Sequence, residues 1–532
     1  DRFPFDQGGG DFSVTIQAKD ARLRYADGWP EIQDIQGSVV FRGKGMHIDV
    51  QHARALGVDI GPVTAVIPDL HSDEHEVLRI DGQAAGATPG FMEFIRQSPV
   101  HEHTGRFTER LRSQGRGELT LHLNLPLRHI EDATVRGDYR ILDNQIEPGE
   151  DLPALTQVNG VLSFTEDLVR GDNIATRVFG QPAQLKVASD TGGRLRVLLN
   201  GRMAVSGLKP WLPAGAERYL SGSASYEGEV GLKAQQTTVR IKSDLAGIES
   251  RLPAPLDKAA PAVVPLSLSL GGGKDDARVV NLQYGQLVTG RLLGKPGEPA
   301  SALLYLGGGA PGAPPREPGL VVMGSLRQLD LDAWRAVELP ADAGTGTGTL
   351  PLRQINIALN QLHVMQRDFH DTRVKVIPMH KGWRIEIQGR EVAGDVVYGE
   401  AGGLPGKRFS GHFQRLVIPE ATPGAVPAEP GDAAELPRIV EINAQNLVLG
   451  KRELGQLNIG FTSSAAAHAF TPEALRECRR SQPGVTLSLS EDNAAGITES
   501  VAPGRLHCGL IRVPVARPPG LEFEALLREP VV

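Results

Sequence analysis

The sequence predicts a mainly β protein: an elongated, twisted antiparallel sheet, built of repeats, with a few short helices. Three observations carry this. Apolar and polar residues alternate along many short segments, internal phrases recur in register, and Gly and Pro interrupt the chain throughout. The clearest alternation is in residues 118–127, where Leu119, Leu121, Leu123, Leu125 and Leu127 enclose Thr120, His122 and Asn124. Successive strand side chains point to opposite faces, so this segment is a strand with one apolar and one wet face. The same pattern returns at Leu195, Val197 and Leu199, at Val239 and Ile241, and at Val264, Leu266, Leu268 and Leu270. Further on it recurs at Ile355, Ile357 and Leu359, and at Ile385 and Ile387.

Composition agrees with this reading. The 532 residues exceed the size at which a single core stops growing. With 63 Gly and 38 Pro, short strands and turns are favoured over helix bundles. A net charge of −7 argues against nucleic acid, which needs clustered Lys and Arg. No apolar run approaches the roughly 20 residues of a membrane helix, and no signal peptide is visible. Because residue 1 is Asp, the chain reads as a fragment. Two cysteines, Cys478 and Cys508, exclude a disulfide framework or a Cys-rich zinc site.

Two internal repeats organise the chain. Pro30, Ile32, Ile35, Gly37, Phe41, Arg54 and Gly57 are answered 123 positions later by Pro153, Leu155, Val158, Gly160, Phe164, Arg177 and Gly180. Ile357, Leu362, Val364 and Phe369 are answered 85 positions later by Ile442, Leu447, Leu449 and Leu454. Repeats that supply only half-buried sheet predict a stacked array in which each unit is covered mainly by its neighbours. Thr88 and Pro89 read as an N-cap and first helical residue opening a helix over 91–97. Residues 208–220 and 329–337 can each supply a helical turn or two. The Pro/Gly-rich stretches 307–318, 341–349 and 419–434 read as exposed loops or linkers.

Several phrases carry a family resemblance. They are Tyr25, Trp29 and Pro30; Ile67-Pro68-Asp69-Leu70; Phe94-Ile95-Arg96-Gln97-Ser98-Pro99; and Leu125-Pro126-Leu127. The phrases at 152–164 and 208–222 and the run Leu329-Asp330-Leu331-Asp332-Ala333-Trp334 complete the set. In this order, over roughly 20–465, they resemble the YhdP-type AsmA-like envelope proteins, relatives of TamB. The resemblance implies a sheet rolled into an open hydrophobic groove, in a Gram-negative periplasmic protein anchored in the inner membrane. It implies transfer of phospholipid between inner and outer membranes, with acyl chains as partners and other envelope proteins unidentified. The anchoring helix of such proteins is not in this chain. The expected division is 1–128 as a first groove unit, 129–340 as a second with helical insertions, 350–465 as AsmA-like repeats, and 466–532 as an atypical tail.

Lipid and strip are energetically matched. Keeping a CH₂ from water is worth about 0.8 kcal/mol, so exposing a two-chain phospholipid with roughly 30 of them costs about 20–25 kcal/mol. About 25–30 strands at ~4.8 Å spacing would make a trough on the order of 120–140 Å long. The expected groove-lining residues are Leu119, Leu121, Leu123, Leu125, Val264, Leu266, Leu268, Ile355, Ile357 and Leu359. The alternative is that these strips face one another in closed β-sandwiches, which makes a non-enzymatic envelope scaffold. A sugar-binding or hydrolytic module is remote, since the four Trp and seven Tyr do not cluster.

Catalytic signatures are thin, and no enzyme and no cofactor are expected. His71, Asp73, Glu74 and His75 with His101, Glu102 and His103 form the most metal-like group, yet their hydrophilic setting reads as solvated turns. Asp330 and Asp332 precede a Trp-bearing helical turn and read as a cap. The 344–349 Gly-Thr run lacks the Gly-Lys-Ser/Thr of a phosphate loop, and Gly43-Lys44-Gly45 reads as a hairpin turn. Neither a Gly-x-Ser-x-Gly elbow nor a His-Glu-x-x-His helix occurs. In the tail, the strand Trp383-Arg384-Ile385-Glu386-Ile387 should be answered near 468–472, where the chain reads His468-Ala-Phe-Thr-Pro472. A frameshift near residue 467 is one reading and a genuine variable tail the other. Resequencing the locus separates them, because only a frameshift hides a Gly-Trp-Arg-type strand in another frame.

Overall fold

The computed structural model describes residues 10–462, except 71–75, 101–110, 150–151, 234–235, 273–276, 296–297, 310–311, 339–349, 401–406 and 421–438. The predicted counterpart strand near 468–472, the tail, both His-rich segments in their metal-like parts and the Gly-Thr run lie outside the described residues. The fold is mainly β and divides into two units, β1–β18 and β19–β26.

The first unit begins with β1 (Ser13–Leu23), β2 (Ile32–Arg42), β3 (Gly45–Ala55), β4 (Val58–Ile67) and β5 (Val77–Ala87). Helix α1 (Thr88–Arg96) follows. Then come β6 (Arg112–Pro126), β7 (Thr134–Glu147), β8 (Leu155–Thr165), β9 (Val169–Val178), β10 (Gln181–Ser189) and β11 (Leu195–Ala204). The last are β12 (Leu220–Lys233), β13 (Gln236–Ser243), β14 (Ile248–Ser250), β15 (Leu266–Gly272), β16 (Arg278–Tyr284), β17 (Val288–Gly294) and β18 (Ser301–Leu306). Each strand pairs antiparallel with the next, except that β14 pairs with β12 and β13 passes directly to β15. Strands added one at a time at ~4.8 Å make this unit a long meander, as the repeats predicted.

The 123-residue repeat is visible in the backbone. Left-handed residues recur in register: Asp20 with Asp143, Asp34 with Gln157, Leu56 with Phe179, and Gly57 with Gly180. Gly57 and Gly180 complete two-residue turns, where a positive φ suits Gly. The Asp and Gln positions sit at irregularities of strand pairing, between β1 and β2, β2 and β3, β7 and β8, and β8 and β9. Such bulges bend the strand and sharpen its twist.

The second unit holds β19 (Gly319–Asp330), α2 (Leu331–Arg335), β20 (Leu352–Val364), β21 (Arg367–Met379), β22 (Gly382–Gln388), β23 (Val392–Glu400), β24 (Lys407–Ile418), β25 (Ile439–Leu449) and β26 (Arg452–Thr462). Here the sheet is mixed, not purely antiparallel. β19 runs parallel to β20, and β24 runs parallel to β25. A parallel neighbour needs a long crossover, and the Pro/Gly-rich stretches at 341–349 and 419–434 fall in those two connections. The 85-residue repeat is therefore a hairpin entered from a parallel strand. Its turns match as well, with positive φ at Met365 and at Gly450.

The helices differ in detail from expectation. Thr88 is inside α1, and the N-cap is Ala87, which offers no side-chain bond. The Thr88 hydroxyl is instead buried, 2.8 Å from the Tyr139 hydroxyl and 2.7 Å from the Asn144 Nδ2 that donates to it. Burial of an amide on β7 draws the hydroxyl inward, and a cap role is lost. Thr88→Val should cost about 1–3 kcal/mol by stranding Asn144 and Tyr139, read as a lowered urea midpoint. Residues 205–211 and 216–218 form 3₁₀ turns in place of the helix read at 208–220. Asp330 caps α2 as predicted, its Oδ1 accepting from the Ala333 N–H at 2.9 Å.

Candidate functional site

Register aligns the alternating apolar residues into one continuous face of the first unit. Ile16, Val39, Ile48, Ala65, Ile80, Leu123 and Val135 are direct partners from β1 to β7. Farther along, Gly171, Val187, Val197, Val230, Val239, Leu270, Val280, Leu292 and Ala302 are direct partners from β9 to β18. Directly paired residues share a face, so the strip is unbroken within each row. The opposite face is wet and crossed by ion pairs. Asp81 meets His122, Asp172 meets Arg170 and Lys186, and Glu229 meets Arg196 and Arg240. Hydrogen bonds from Lys186 and Arg170 hold the Asp172 carboxyl below its ordinary value.

Of the predicted lining residues, Leu119, Leu121, Leu123 and Leu125 share this face and are all half-buried. Leu266 and Leu268 are half-buried on β15, while Val264 sits in the connection before it. In the second unit Ile355 is half-buried, but Ile357 and Leu359 are buried, Leu359 to 2% exposure. Half-burial is what neighbouring side chains on the same face of one sheet give, whereas the inside of a closed sandwich would bury the leucine ladder.

Exposure also changes along the strands. On β7 Val135 is half-buried, whereas Ile141 is 5% exposed. On β8 Phe164 is half-buried and Val158 1% exposed, and on β9 Val169 is half-buried and Ile174 1% exposed. β11 and β12 repeat the change, with Val197 and Val230 half-buried and Met203 and Ala224 buried. The buried ends all lie at one rim, where α1 and the 3₁₀ turns attach. There Trp29 packs on Phe94 with ring centres 5.9 Å apart, Phe91 on Tyr139 at 5.1 Å, and Phe179 on Trp211 at 6.3 Å. Burial raises the Tyr139 phenol, although hydrogen bonds from Thr88 and Asn144 oppose it. The sequence did hold a signal for this rim: in a chain only 5% aromatic, Trp29, Phe91, Phe94, Phe179 and Trp211 all fall in connections that follow odd-numbered strands, while Tyr139 lies within β7.

In the second unit Asp330, Asp332 and His363 come together, a donor set able to hold a cation. Their atoms are already engaged. Asp332 accepts from the Met365 and Gln366 N–H groups at 2.9 and 2.7 Å, and His363 Nδ1 lies 2.8 Å from Asp368. The cluster ties α2 to the β20–β21 turn. The Asp368 hydrogen bond raises His363 from 6.5, with Asp330 and Asp332 adding to it. Burial pushes Asp332 up, but the two backbone hydrogen bonds and His363 outweigh it, so it ends lowered from 3.8. A raised histidine stabilises below its unfolded value and loses this as pH rises through its folded value. The lowered carboxylates lose theirs only as pH falls below 3.8. Wild type should therefore exceed His363→Gln by about 0.5–1 kcal/mol in mild acid, and the gap should close towards alkaline pH in thermal melts.

A sequence model of the YhdP protein family matches residues 1–472, which include every described strand. The chain belongs to the YhdP family. A curated relative, the intermembrane phospholipid transporter YhdP of Escherichia coli (strain K12), is 26% identical over 280 residues. That alignment covers 50% of this chain and 21% of the relative, so the chain spans about a fifth of the relative's length. Residues 450–532 also match the LysR substrate binding domain family, overlapping the end of the YhdP match. No solved structure matches the chain. Among the described residues no helix is long and apolar enough to cross a membrane, which says nothing of a β-barrel. The family match bears out the resemblance carried by the phrases between Tyr25 and Trp334.

Proposed function

We propose that this chain moves phospholipid between the inner and outer membranes across the periplasm, its acyl chains lying on the apolar β-face. The observation that supports the reading is the strip of directly paired apolar residues, most of them half-buried, running from strand to strand. Such a strip lowers the cost of exposed CH₂ groups at every point and requires no enclosed pocket. The relative's transporter role is consistent with it, and no catalytic step is part of the proposal. Inner-membrane anchorage and contacts with other envelope proteins belong to the same proposal.

A closed scaffold is the second reading, favoured by the buried clusters around Ile141, Val158 and Ile174 and around Val392, Val396 and Phe413. A photo-crosslinking residue at position 123 distinguishes the two. Capture of phospholipid in cells supports the lipid path. Capture of protein alone removes it and leaves the scaffold.

A further inference from the structure

The first unit is lopsided, and the lopsidedness orients a lipid. Strands β1–β12 alternate in direction, so connections after odd-numbered strands share one rim and those after even-numbered strands share the other. The first rim carries α1, the 3₁₀ turns at 205–211 and 216–218, and the rings of Trp29, Phe94, Phe179 and Trp211. Just inside it runs a row of left-handed residues from strand to strand, Asp20, Asp34, Gly61, Gly115, Asp143, Gln157 and Asn173. Around that row the apolar face is bent, and the buried Ile141, Val158 and Ile174 gather beside it. The second rim carries mostly shorter connections, among them 43–44, 127–133 (with a 3₁₀ turn at 130–132 and exposed Leu127 and Ile130), 166–168 and 190–194. Ion pairs sit at both rims, Arg128–Glu76 and Lys44–Asp69 here and Arg24–Glu31, Arg54–Asp59 and Arg96–Glu93 at the first, so the rims differ in their rings and helix more than in charge. Towards it the apolar residues are half-buried on most strands, with Val14 and Ile16 on β1 exposed and Ala65 and Ile67 on β4 buried.

We propose that phospholipid lies with its acyl chains parallel to the strands, tails towards the helix-bearing rim and headgroup along the rim of shorter turns. This rests on the lipid reading above and adds its orientation. Dimensions agree: from Leu119 to Leu125 the open strip spans six residue steps of ~3.3 Å, about 20 Å. One leaflet of a bilayer with a ~30 Å hydrocarbon core is about 15 Å deep. A tail thus fits along the strands before it meets Tyr139 and Phe91. The reverse orientation would press a phosphate against the half-buried rings of Phe91, Phe94 and Phe179 and the buried aliphatic side chains beside them, with part of its hydrogen bonding to water lost. At the turn rim the same phosphate stays wet.

The test uses the purified full chain and two synthetic phosphatidylethanolamines, one with a diazirine in the headgroup and one with a diazirine midway along an acyl chain. After irradiation, adducts are located by peptide mass spectrometry. The headgroup probe should label 43–44, 127–133, 166–168 and 190–194 several-fold more than 24–31, 56–57, 91–97 and 179–180. The acyl probe should label Leu123, Val135 or Val197. Headgroup adducts at the helix-bearing rim, or equal labelling of both rims, would overturn the orientation while acyl adducts leave the lipid reading standing. Absence of acyl adducts from the whole unit would overturn both.

Discussion

Leu123→Asp is expected to abolish phospholipid delivery while the sheet stays folded. Leu123 is half-buried between Ile80 and Val135, so the substitution forfeits only part of a leucine's burial, about 1–1.5 kcal/mol. The new carboxylate lies on the open part of the face, where water reaches it. If lipid moves along this face as proposed, a tail meets there a charge in the middle of an apolar track. The expected pair of results is loss of labelled phospholipid reaching the outer membrane in cells carrying the variant in the whole protein, with a nearly unchanged circular dichroism melt of the purified chain. If the melt collapses, the strip at Leu123 is a closed core and the lipid path fails.

Val158→Asp should do the opposite and destroy the fold of the first unit. Val158 is 1% exposed and packs with Ile141, Ile174 and Leu185 beside the bulges at Asp143 and Gln157. A carboxylate there has neither water nor a cation, and the cost is on the order of 4–5 kcal/mol or more. Since a domain holds about 5–15 kcal/mol in total, most of the margin disappears. Protease-resistant material from the first unit should vanish. A variant that melts like wild type would mean the helix-bearing side is as open as the turn side, and would remove the asymmetry on which the lipid orientation rests.

Much of this architecture was legible in the sequence because it depends on local rules. A period of two sets which side chains share a face, so the ladder from Leu119 to Leu125 reads as a strand with an apolar side. The turn at Gly57 and its copy at Gly180 were legible because a positive φ suits Gly, and Asp330 was legible as a cap because its carboxylate reaches the Ala333 N–H. Other features had no local signature. Whether β25 runs parallel or antiparallel to β24 depends on where a Pro/Gly-rich crossover lays the chain down, and crossover composition does not encode direction. Thr88 has the residue type and spacing of a cap, and only the buried amide of Asn144 diverts it.

The sequence by itself determined the strand pattern, the two repeats and the existence of an apolar face. Tertiary structure alone decided which part of that face is covered. Alternation specifies the side to which Leu123 and Val158 point, but not what lies above them. Burial is set by the bulges that bend the sheet, which bring Val158 onto Ile141, Ile174 and Leu185 of other strands, and by α1 and the 205–211 turn packing on the strands that flank them. Solvent exclusion at a residue is a sum over all neighbours, and for an open sheet those neighbours are chosen by the path of the whole chain.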